Sequence, residues 1–143
     1  MSEQVMRGFV HAFCDALASR DYDAIGAMLA DNVECTAFGP IDVFPFFGHR
    51  RGRAAVLEML RQASERLSVR GCDTERALVD GENYASLVRM TAEQVSTGRV
   101  LNFRLAQFVQ LHGGRLTSLR VLFDSLDLAE QIIGRPIDLS RAA

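Results

Sequence analysis

His49 and Asp124 are the side chains whose type and setting could support acid–base chemistry. His49 follows a phenylalanine-rich loop, where an imidazole could act as a general base near neutral pH. It is flanked by Arg50, Arg51 and Arg53, a setting more typical of a residue that faces solvent, and this basic run could steer an anionic ligand. Asp124 ends a β-type segment at "LFD" and precedes a helix. An apolar interior would raise the pKa of its carboxyl group towards a value useful for proton transfer. Alternatively, an aspartate at the start of a helix can simply cap that helix.

The three cysteines offer thiol chemistry, but their spacing predicts no site. Cys14, Cys35 and Cys72 are widely separated, odd in number and without a CxxC pattern. These features argue against a disulfide framework and a metal site, so we expect buried, reduced thiols. The sequence also lacks a phosphate loop, a GxGxxG motif and a His/Asp cluster with metal-ligand spacing. We therefore expect no cofactor and no metal.

Length and composition indicate an ordinary globular domain. The chain has 143 residues, of which 48% are hydrophobic and 24% charged, and its net charge is −2. This balance favours neither nucleic acid nor an anionic membrane as a partner. The start "MSEQVMRGF" has no apolar signal-peptide core, and no apolar run reaches the length of a membrane span, so we expect a cytoplasmic protein. We predict one domain over residues 1–143, with a core over 1–135 and a C-terminal tail over 136–143.

The first half of the chain predicts three helices and a strand. Ser2 can cap a first helix, whose apolar residues recur at three- and four-residue steps as far as Leu17. Asp21 can cap a short second helix that runs through Leu29 and is broken by "DN" at 31–32. The segment "VECTAF" then alternates as a strand does, and "RAAVLEMLRQASERL" is a strongly amphipathic helix.

The second half predicts an antiparallel meander and a final helix. The β-type segments near 69–79, 83–95, 99–112 and 115–124 are joined by "DGEN", "STGR" and "HGGR", which are short and contain glycine as hairpins require. The last helix, "SLDLAEQII", is capped by Ser125 and stopped by Gly134 and Pro136. Helices gathered early and strands gathered late predict an α+β fold in which a curved sheet wraps around helices.

The stretch 37–53, "AFGPIDVFPFFGHRRGR", is named the aromatic loop; it starts at the end of the first strand and leads into the third helix. It contains four of the nine phenylalanines, Phe38, Phe44, Phe46 and Phe47, together with two of the three prolines. It lies where the open mouth of a curled sheet would be, so its rings could line and cover a chamber for an apolar ligand. An equally open alternative is that the loop closes a solid core or forms a dimer contact.

Three stretches of the sequence resemble the SnoaL-like, ketosteroid-isomerase-like branch of the nuclear transport factor 2-like (NTF2-like) superfamily. They are "ALASRDYDAIGAMLADNVE", "GPIDVFPFFGHRRGRAAVLEML" and "GRVLNFRLAQFVQLHGGRLTSLRVLFDSLDLAEQIIG". The resemblance implies an α+β cone, also called a cystatin-like α+β barrel, with a curved mixed sheet, largely antiparallel, around N-terminal helices. It also implies a deep central cavity and a homodimer formed through the sheet. This scaffold hosts isomerases, cyclases, hydrolases and plain binders, so the family alone does not give the reaction.

The positions that match the ketosteroid isomerase machinery lack its functional groups. Those enzymes use an aspartate base, with a tyrosine and a protonated aspartate as oxyanion donors. The matching positions here are Ala37 for the base, Phe13 for the tyrosine and Ala106 for the acidic donor. The resemblance therefore implies pocket positions at these residues but not that mechanism.

A more distant resemblance to limonene epoxide hydrolase supplies two catalytic candidates. The segment "GRVLNFRLAQFVQLHGGRLTSLRVLFD" resembles that enzyme's final hairpin and ends in the aspartate, here Asp124, that would hold water. Arg89 matches the hydrolase arginine. The hydrolase tyrosine, asparagine and acid positions are occupied here by Glu34, Thr36 and Thr91. The SnoaL-type polyketide cyclases use an acidic acid–base group, for which this chain offers Asp124 and Asp42.

Strand alternation leaves the direction of two arginines open. Arg89 alternates with Val88 and Met90 and would face solvent if these face the core, whereas the hydrolase match turns Arg89 inward. Arg104 shares a face with Ala106, a pocket position by resemblance, and would need an acidic partner such as Asp124 if buried. The candidate catalytic residues are thus Asp124, Arg89 and His49. The predicted pocket-lining residues are Phe13, Leu17, Thr36, Phe38, Phe44, Phe46, Phe47, Arg104, Ala106 and Phe108.

Two functions compete at this point, both centred on an apolar central pocket. The first is acid–base chemistry of the isomerase, cyclase or hydrolase type on a hydrophobic metabolite. The alternative is non-catalytic binding of a small hydrophobic ligand. A dimeric interaction module whose sheet binds a protein partner is a third hypothesis, which a solid interior would favour.

Overall fold

The computed structural model describes residues 2–39, 41 and 44–140 of the chain. Its elements are α1 (Glu3–Ser19), α2 (Tyr22–Met28), β1 (Leu29–Phe38), β2 (Gly48–Arg51), α3 (Arg53–Arg66), β3 (Leu67–Asp80), β4 (Asn83–Gln94), β5 (Arg99–His112), β6 (Arg115–Phe123) and α4 (Ser125–Ile133). Among the described residues, no helix is both long and apolar enough to cross a membrane.

The two N-terminal helices begin at the predicted caps. The Ser2 side chain accepts a hydrogen bond from the backbone N–H of Val5 at 3.1 Å, and Asp21 accepts one from Ala24 at 3.1 Å. These bonds satisfy donors that the start of a helix otherwise leaves without an intrahelical partner. α1 then buries one stripe of side chains against the rest of the molecule. The stripe comprises Met6, Val10, Phe13 and Ala16.

The described strands form one curved, mixed sheet in the order β2–β1–β6–β5–β4–β3. The run from β3 to β6 is the predicted meander of antiparallel hairpins, whereas β1 pairs in parallel with β6. α1 and α3 pack against one face of the sheet, which we call the inner face, and the opposite side is the outer face. The predicted α+β cone is confirmed. The sheet is not closed into a barrel, because β2 and β3 are its edges.

Three local details differ from the predictions. The stretch Gly48–Arg51, predicted as loop, forms β2 and pairs with β1, where His49 lies opposite Thr36. β1 already begins at Leu29, because the "DN" predicted to break a helix is absorbed by a register shift within the strand. The N-cap position of α4 is taken by Asp124, which was the alternative interpretation of that residue, and not by Ser125, which is the first residue of the helix. In the first two cases, pairing with a distant segment decides the local structure.

α4 closes one end of the sheet, where β5 continues past the end of β6 at Phe123. At this edge, the Gln131 side chain accepts from the backbone N–H of Asn102 at 3.0 Å and donates to its carbonyl oxygen at 2.6 Å. Arg99 donates to two carbonyl oxygens of the last helical turn, at 2.9 and 3.1 Å. Leu128 is fully buried in the core. The helix therefore covers one end of the core and forms hydrogen bonds with the part of β5 that extends beyond β6.

Candidate functional site

A cavity of about 360 Å³ lies between α1, α3 and the inner face of the sheet. Its wall is mainly apolar and includes side chains from β1 and from β3 to β6. Apolar residues of the wall include Val10, Met59, Leu60, Val88, Leu105 and Val121. This volume falls within the range of pockets that enclose small organic molecules.

Three phenylalanines of the aromatic loop form part of the cavity's surroundings. Phe44, Phe46 and Phe47 are buried, and each pair of their ring centroids is 5.0 Å apart. Phe46 and Phe47 line the cavity, and Phe44 packs behind them. Phe47 also stacks on Phe123 of β6, with ring centroids 4.9 Å apart. The loop therefore contributes to the core and to the cavity wall at the same time.

The opening of the cavity lies between α1 and β3. The lining residues Arg7 and His11 of α1, and Cys72 and Thr74 of β3, are exposed, whereas the lining residues of the aromatic loop are buried. The loop was predicted to cover the mouth, but its rings form an inner wall instead.

The predicted pocket-lining residues divide between the two faces of the sheet. Those that line the cavity are Phe13, Leu17, Phe46 and Phe47, with Phe44 buried behind them. Those that the structure places on the outer face are Thr36, Phe38, Arg104, Ala106 and Phe108. Their sequence neighbours, among them Cys35, Ala37, Leu105 and Gln107, line the cavity. The match that placed Ala106 in the pocket was wrong by one residue. Because successive side chains of a strand point to opposite faces of the sheet, an error of one residue moves a side chain to the other face.

Arg89 and Arg104 lie directly opposite each other on β4 and β5 and are exposed on the outer face. Glu75 of β3 serves both: its Oε1 lies 2.9 Å from Nε of Arg104 and 3.8 Å from Nε of Arg89. One carboxylate thus offsets two guanidinium groups that would otherwise repel each other across the strands. The expected partner of Arg104 was Asp124, and Glu75 takes that place. The alternation of Arg89 with Val88 and Met90 indicated the correct face, since both of these line the cavity.

Asp124 and His49 also lie outside the cavity wall. Asp124 is exposed, and within the described helix its carboxylate makes no capping hydrogen bond. His49 is exposed on β2, where its Nδ1 lies 2.7 Å from Oγ1 of Thr36. The three predicted catalytic residues therefore stand on different elements, and the structure does not bring them together. Their catalytic role stays a prediction, and Asp42 lies outside the described residues.

Several polar side chains that the sequence analysis did not single out line the cavity. Inside, Gln107 lines the cavity, and its amide donates to Oγ of the buried Ser86 at 3.0 Å. At the mouth, the Arg7 guanidinium lies 2.7 Å from the Glu3 carboxylate, and Nε2 of His11 lies 3.4 Å from the Asp15 carboxylate. The available signal was spacing, because positions 7 and 11 flank the apolar stripe of α1. Within the described ranges, no group of three or more His, Cys, Asp or Glu side chains could hold a metal ion.

Comparison with known proteins identifies the family. The SnoaL-like domain, as a family model, matches residues 10–119, which is more than half of the chain. The chain belongs to the SnoaL-like family. No curated protein sequence is significantly similar to this SnoaL-like chain.

Solved structures share the fold over nearly the whole SnoaL-like chain. A Rhodopseudomonas palustris protein, provisionally named an isomerase, is 38% identical with a TM-score of 0.87, over 94% of this chain and 100% of its own. An NTF2-like protein from Burkholderia xenovorans LB400 is 25% identical with a TM-score of 0.74, over 92% of this chain and 98% of its own. An LEH-like epoxide hydrolase from M. tuberculosis is 21% identical with a TM-score of 0.74, over 98% of both chains, a likeness that shows the fold alone. The predicted SnoaL-like, NTF2-like assignment is confirmed.

All three cysteines of this SnoaL-like protein line the cavity. Burial raises the pKa of the Cys35 thiol to about 12. A hydrogen bond with Cys72 and burial raise the pKa of the half-buried Cys14 thiol, and the same hydrogen bond lowers the pKa of Cys72. The prediction of buried thiols is correct for Cys35 and wrong for Cys72, which is exposed.

The Cys35 thiol should make the protein less stable at alkaline pH. Its ordinary pKa of 9.0 applies to the unfolded chain and a pKa of about 12 to the folded one, so only the unfolded chain loses this proton between these values. The free energy of unfolding therefore falls as pH rises through this window, by about 1.4 kcal/mol at pH 10 from this group. All 16 basic side chains are arginine, so no lysine titrates there.

Urea unfolding of Cys35→Ala and of the unsubstituted protein at pH 7 and pH 10 measures this contribution. We expect the loss of stability between the two pH values to be smaller in Cys35→Ala by about 1 kcal/mol. Equal losses in the two proteins would show that Cys35 is not protected from ionisation.

Proposed function

We propose that this SnoaL-like protein binds a small, mainly apolar organic molecule in its central cavity. The observation that carries the proposal is a space of about 360 Å³ walled by buried aliphatic and aromatic side chains. A space of this size inside a domain deprives its walls of packing contacts, and an apolar guest would restore them. The predicted catalytic residues have no part in this proposal, because they lie outside the wall.

The polar groups of the wall suggest how such a ligand would be oriented. Gln107 lines the cavity, and its amide already donates to Oγ of Ser86, a buried residue of β4. Arg7 and His11 stand at the mouth, on the exposed side of α1. A ligand would therefore place its apolar body among the phenylalanines and its polar or anionic end near the Arg7 guanidinium.

Binding of the fluorescent probe ANS, which combines apolar rings with one sulfonate, tests the proposal. Ala63→Phe introduces a ring on α3 at a position that lines the cavity, and we expect it to weaken ANS binding by at least about tenfold, or 1.4 kcal/mol. Ala55→Phe is the matched control, because Ala55 is exposed on the same helix. Equal ANS affinity in the two folded variants would show that the probe does not occupy the cavity.

Isomerase-type proton transfer is a second candidate function. It is supported by the 3.4 Å pair of His11 and Asp15 at the mouth and by the 38% identical relative provisionally named an isomerase. An imidazole beside a carboxylate can move a proton to and from a bound ligand near neutral pH. Exchange of solvent deuterium into apolar ketones, followed by mass spectrometry, tests this candidate. Exchange that His11→Gln abolishes would support it, whereas no exchange with the unsubstituted protein would leave binding as the function.

We also propose that the protein forms a homodimer through the outer face of its sheet. Five large apolar side chains are exposed there and are named the outer apolar patch: Phe38, Leu78, Leu87, Phe108 and Leu122. Strand register makes them neighbours, since Leu122 lies opposite Phe38 on one side and Ala106 on the other, and Ala106 lies opposite Leu87. Contiguous exposed apolar surface of this kind marks interaction sites.

A further inference from the structure

The side chains of Cys14 and Cys72 lie next to each other in the wall of the cavity. Cys14 lies on α1 and Cys72 on β3, so the two residues are distant in sequence, but α1 packs against β3 and the two thiols interact with each other there. Both line the cavity on the side where it opens. Cys14 is half-buried and Cys72 is exposed, so reagents can reach the pair from solvent. The sequence spacing gave no sign of this contact.

Irregularities in β3 account for the position of Cys72. The pairing of β3 with β4 shifts register twice, between Val69 and Gly71 and again between Thr74 and Arg76. Bulges of this kind re-aim side chains and are common at sheet edges, and β3 is an edge strand. Between the two shifts, Cys72 and Thr74 line the cavity beneath α1.

The two thiols differ in exposure, which assigns them different roles, because Cys72 is open to solvent and Cys14 is half-buried. The hydrogen bond from Cys14 stabilises a thiolate on Cys72 and lowers its pKa, although partial burial and the neighbouring Asp73 oppose the effect. The same bond, together with burial and Asp15, raises the pKa of Cys14. An exposed thiol with thiolate character next to a second thiol is the arrangement of a peroxide-reactive cysteine with a resolving partner.

We propose that Cys14 and Cys72 form an oxidation site in the cavity wall, at which hydroperoxides convert the two thiols to a disulfide that joins α1 to β3. In the first step, the Cys72 sulfur attacks a peroxide oxygen, an S–O bond forms, the O–O bond breaks, and the alcohol or water leaves with a proton. In the second step, the Cys14 sulfur attacks the Cys72 sulfur, an S–S bond forms, the S–O bond breaks, and water leaves with the Cys14 proton. Two thiols and one hydroperoxide thus give one disulfide, one alcohol or water, and one water.

The site is independent of the proposed ligand and needs no guest in the cavity. The disulfide would cross the mouth, because its two residues belong to the two elements that border the opening. Oxidation would therefore also restrict the way into the cavity. Cys35 takes no part, since it is buried on β1, and burial keeps it protonated.

Peptide mapping after treatment with hydrogen peroxide tests the proposal directly. Cleavage after arginine puts the three cysteines on different peptides, with Cys14 in 8–20, Cys72 in 71–76 and Cys35 in 21–50. After oxidation, alkylation and digestion without reductant, we expect peptides 8–20 and 71–76 to be joined by a disulfide and Cys35 to remain unoxidised. Alkylated Cys14 and Cys72 after peroxide treatment, or a disulfide that includes Cys35, would overturn the proposal.

Serine variants separate the roles of the two thiols. Cys14→Ser should leave Cys72 as a sulfenic acid, which the probe dimedone traps on peptide 71–76. Cys72→Ser should leave Cys14 unoxidised, and the matched control Cys35→Ser should retain the disulfide between the other two cysteines. A dimedone adduct on Cys14 in Cys72→Ser would overturn the assignment of Cys72 as the attacking thiol. These results report on the chain alone, so a failure to bind ANS would leave them unchanged.

Discussion

Replacing Phe47 by alanine is expected to lower the free energy of unfolding by about 3–5 kcal/mol. The Phe47 side chain is 2% exposed, and its ring lies about 5 Å from the rings of Phe44, Phe46 and Phe123. The backbone packs tightly over this ring, since a Cβ on Gly39 would lie only 2.2 Å from it. Removal of the ring therefore takes one aromatic contact from each of these three rings and enlarges the cavity. Urea unfolding monitored by circular dichroism measures the loss.

The control for this prediction is Ile41→Ala in the same loop. Ile41 is 59% exposed, so its truncation should change the free energy of unfolding by no more than about 0.5 kcal/mol. A loss below about 1 kcal/mol for Phe47→Ala would contradict the packing of the aromatic loop described here, because even a partly relaxed cavity costs more.

The order of helices and strands could be predicted because local signals agree with the tertiary structure. The three- and four-residue apolar steps of α1, the caps at Ser2 and Asp21, and the glycine-containing turns of the meander act over a few residues. Pairing between consecutive antiparallel strands follows from short turns. These features therefore needed no knowledge of distant contacts.

The face on which each strand residue lies was less predictable. At Arg104 and Phe108, alternation gives two sets of residues but not the direction of either set. A resemblance decided the direction there, and a phase difference of one residue placed the predicted lining residues Arg104, Ala106 and Phe108 on the wrong face. Along β4, by contrast, the apolar character of Val88 and Met90 indicated the inner face correctly.

Long-range pairing explains the features that the sequence did not reveal. β2 is short, and its pairing with β1 rather than its composition makes the segment around His49 a strand. The contact of Cys14 with Cys72 depends on two register shifts in β3, which no spacing rule encodes. Arg7 and His11 lie on the exposed side of α1, as many polar helix residues do. They border the cavity because the curved sheet places the opening of the cavity next to that side of the helix.

The two faces of the sheet differ in their environment and in their side chains. The inner face supplies the apolar cavity wall, while the outer face combines the arginine and glutamate cluster around Glu75 with the outer apolar patch. A groove in the outer face also contains Arg120 and Asp80, whose opposite charges could pair across a twofold axis. An outer face that carries both apolar and complementary charged groups suits association with a second copy of the chain.

Replacing Phe108 by aspartate is therefore expected to convert the proposed homodimer into monomers. Phe108 is 51% exposed and lies opposite Ala85 of β4 and Arg120 of β6. In an isologous interface the substitution occurs twice, and each copy would lose an apolar ring and would bury a carboxylate, whose desolvation costs more than a pair with the neighbouring Arg120 returns. We expect a total loss of about 4 kcal/mol or more, which corresponds to a roughly thousandfold weaker association. Sedimentation equilibrium should then give a mass near 15.8 kDa for Phe108→Asp and twice that mass for the unsubstituted protein.

Val100→Asp provides the matched control because it adds the same charge to the same strand. Val100 is 62% exposed, and eight residues separate it from Phe108, which amounts to about 26 Å along β5. It lies outside the outer apolar patch, so this variant should keep the dimeric mass. A monomeric mass for the unsubstituted protein at the concentrations used would contradict the homodimer itself. Dissociation by both variants would show that added charge on β5, rather than loss of the patch, separates the chains.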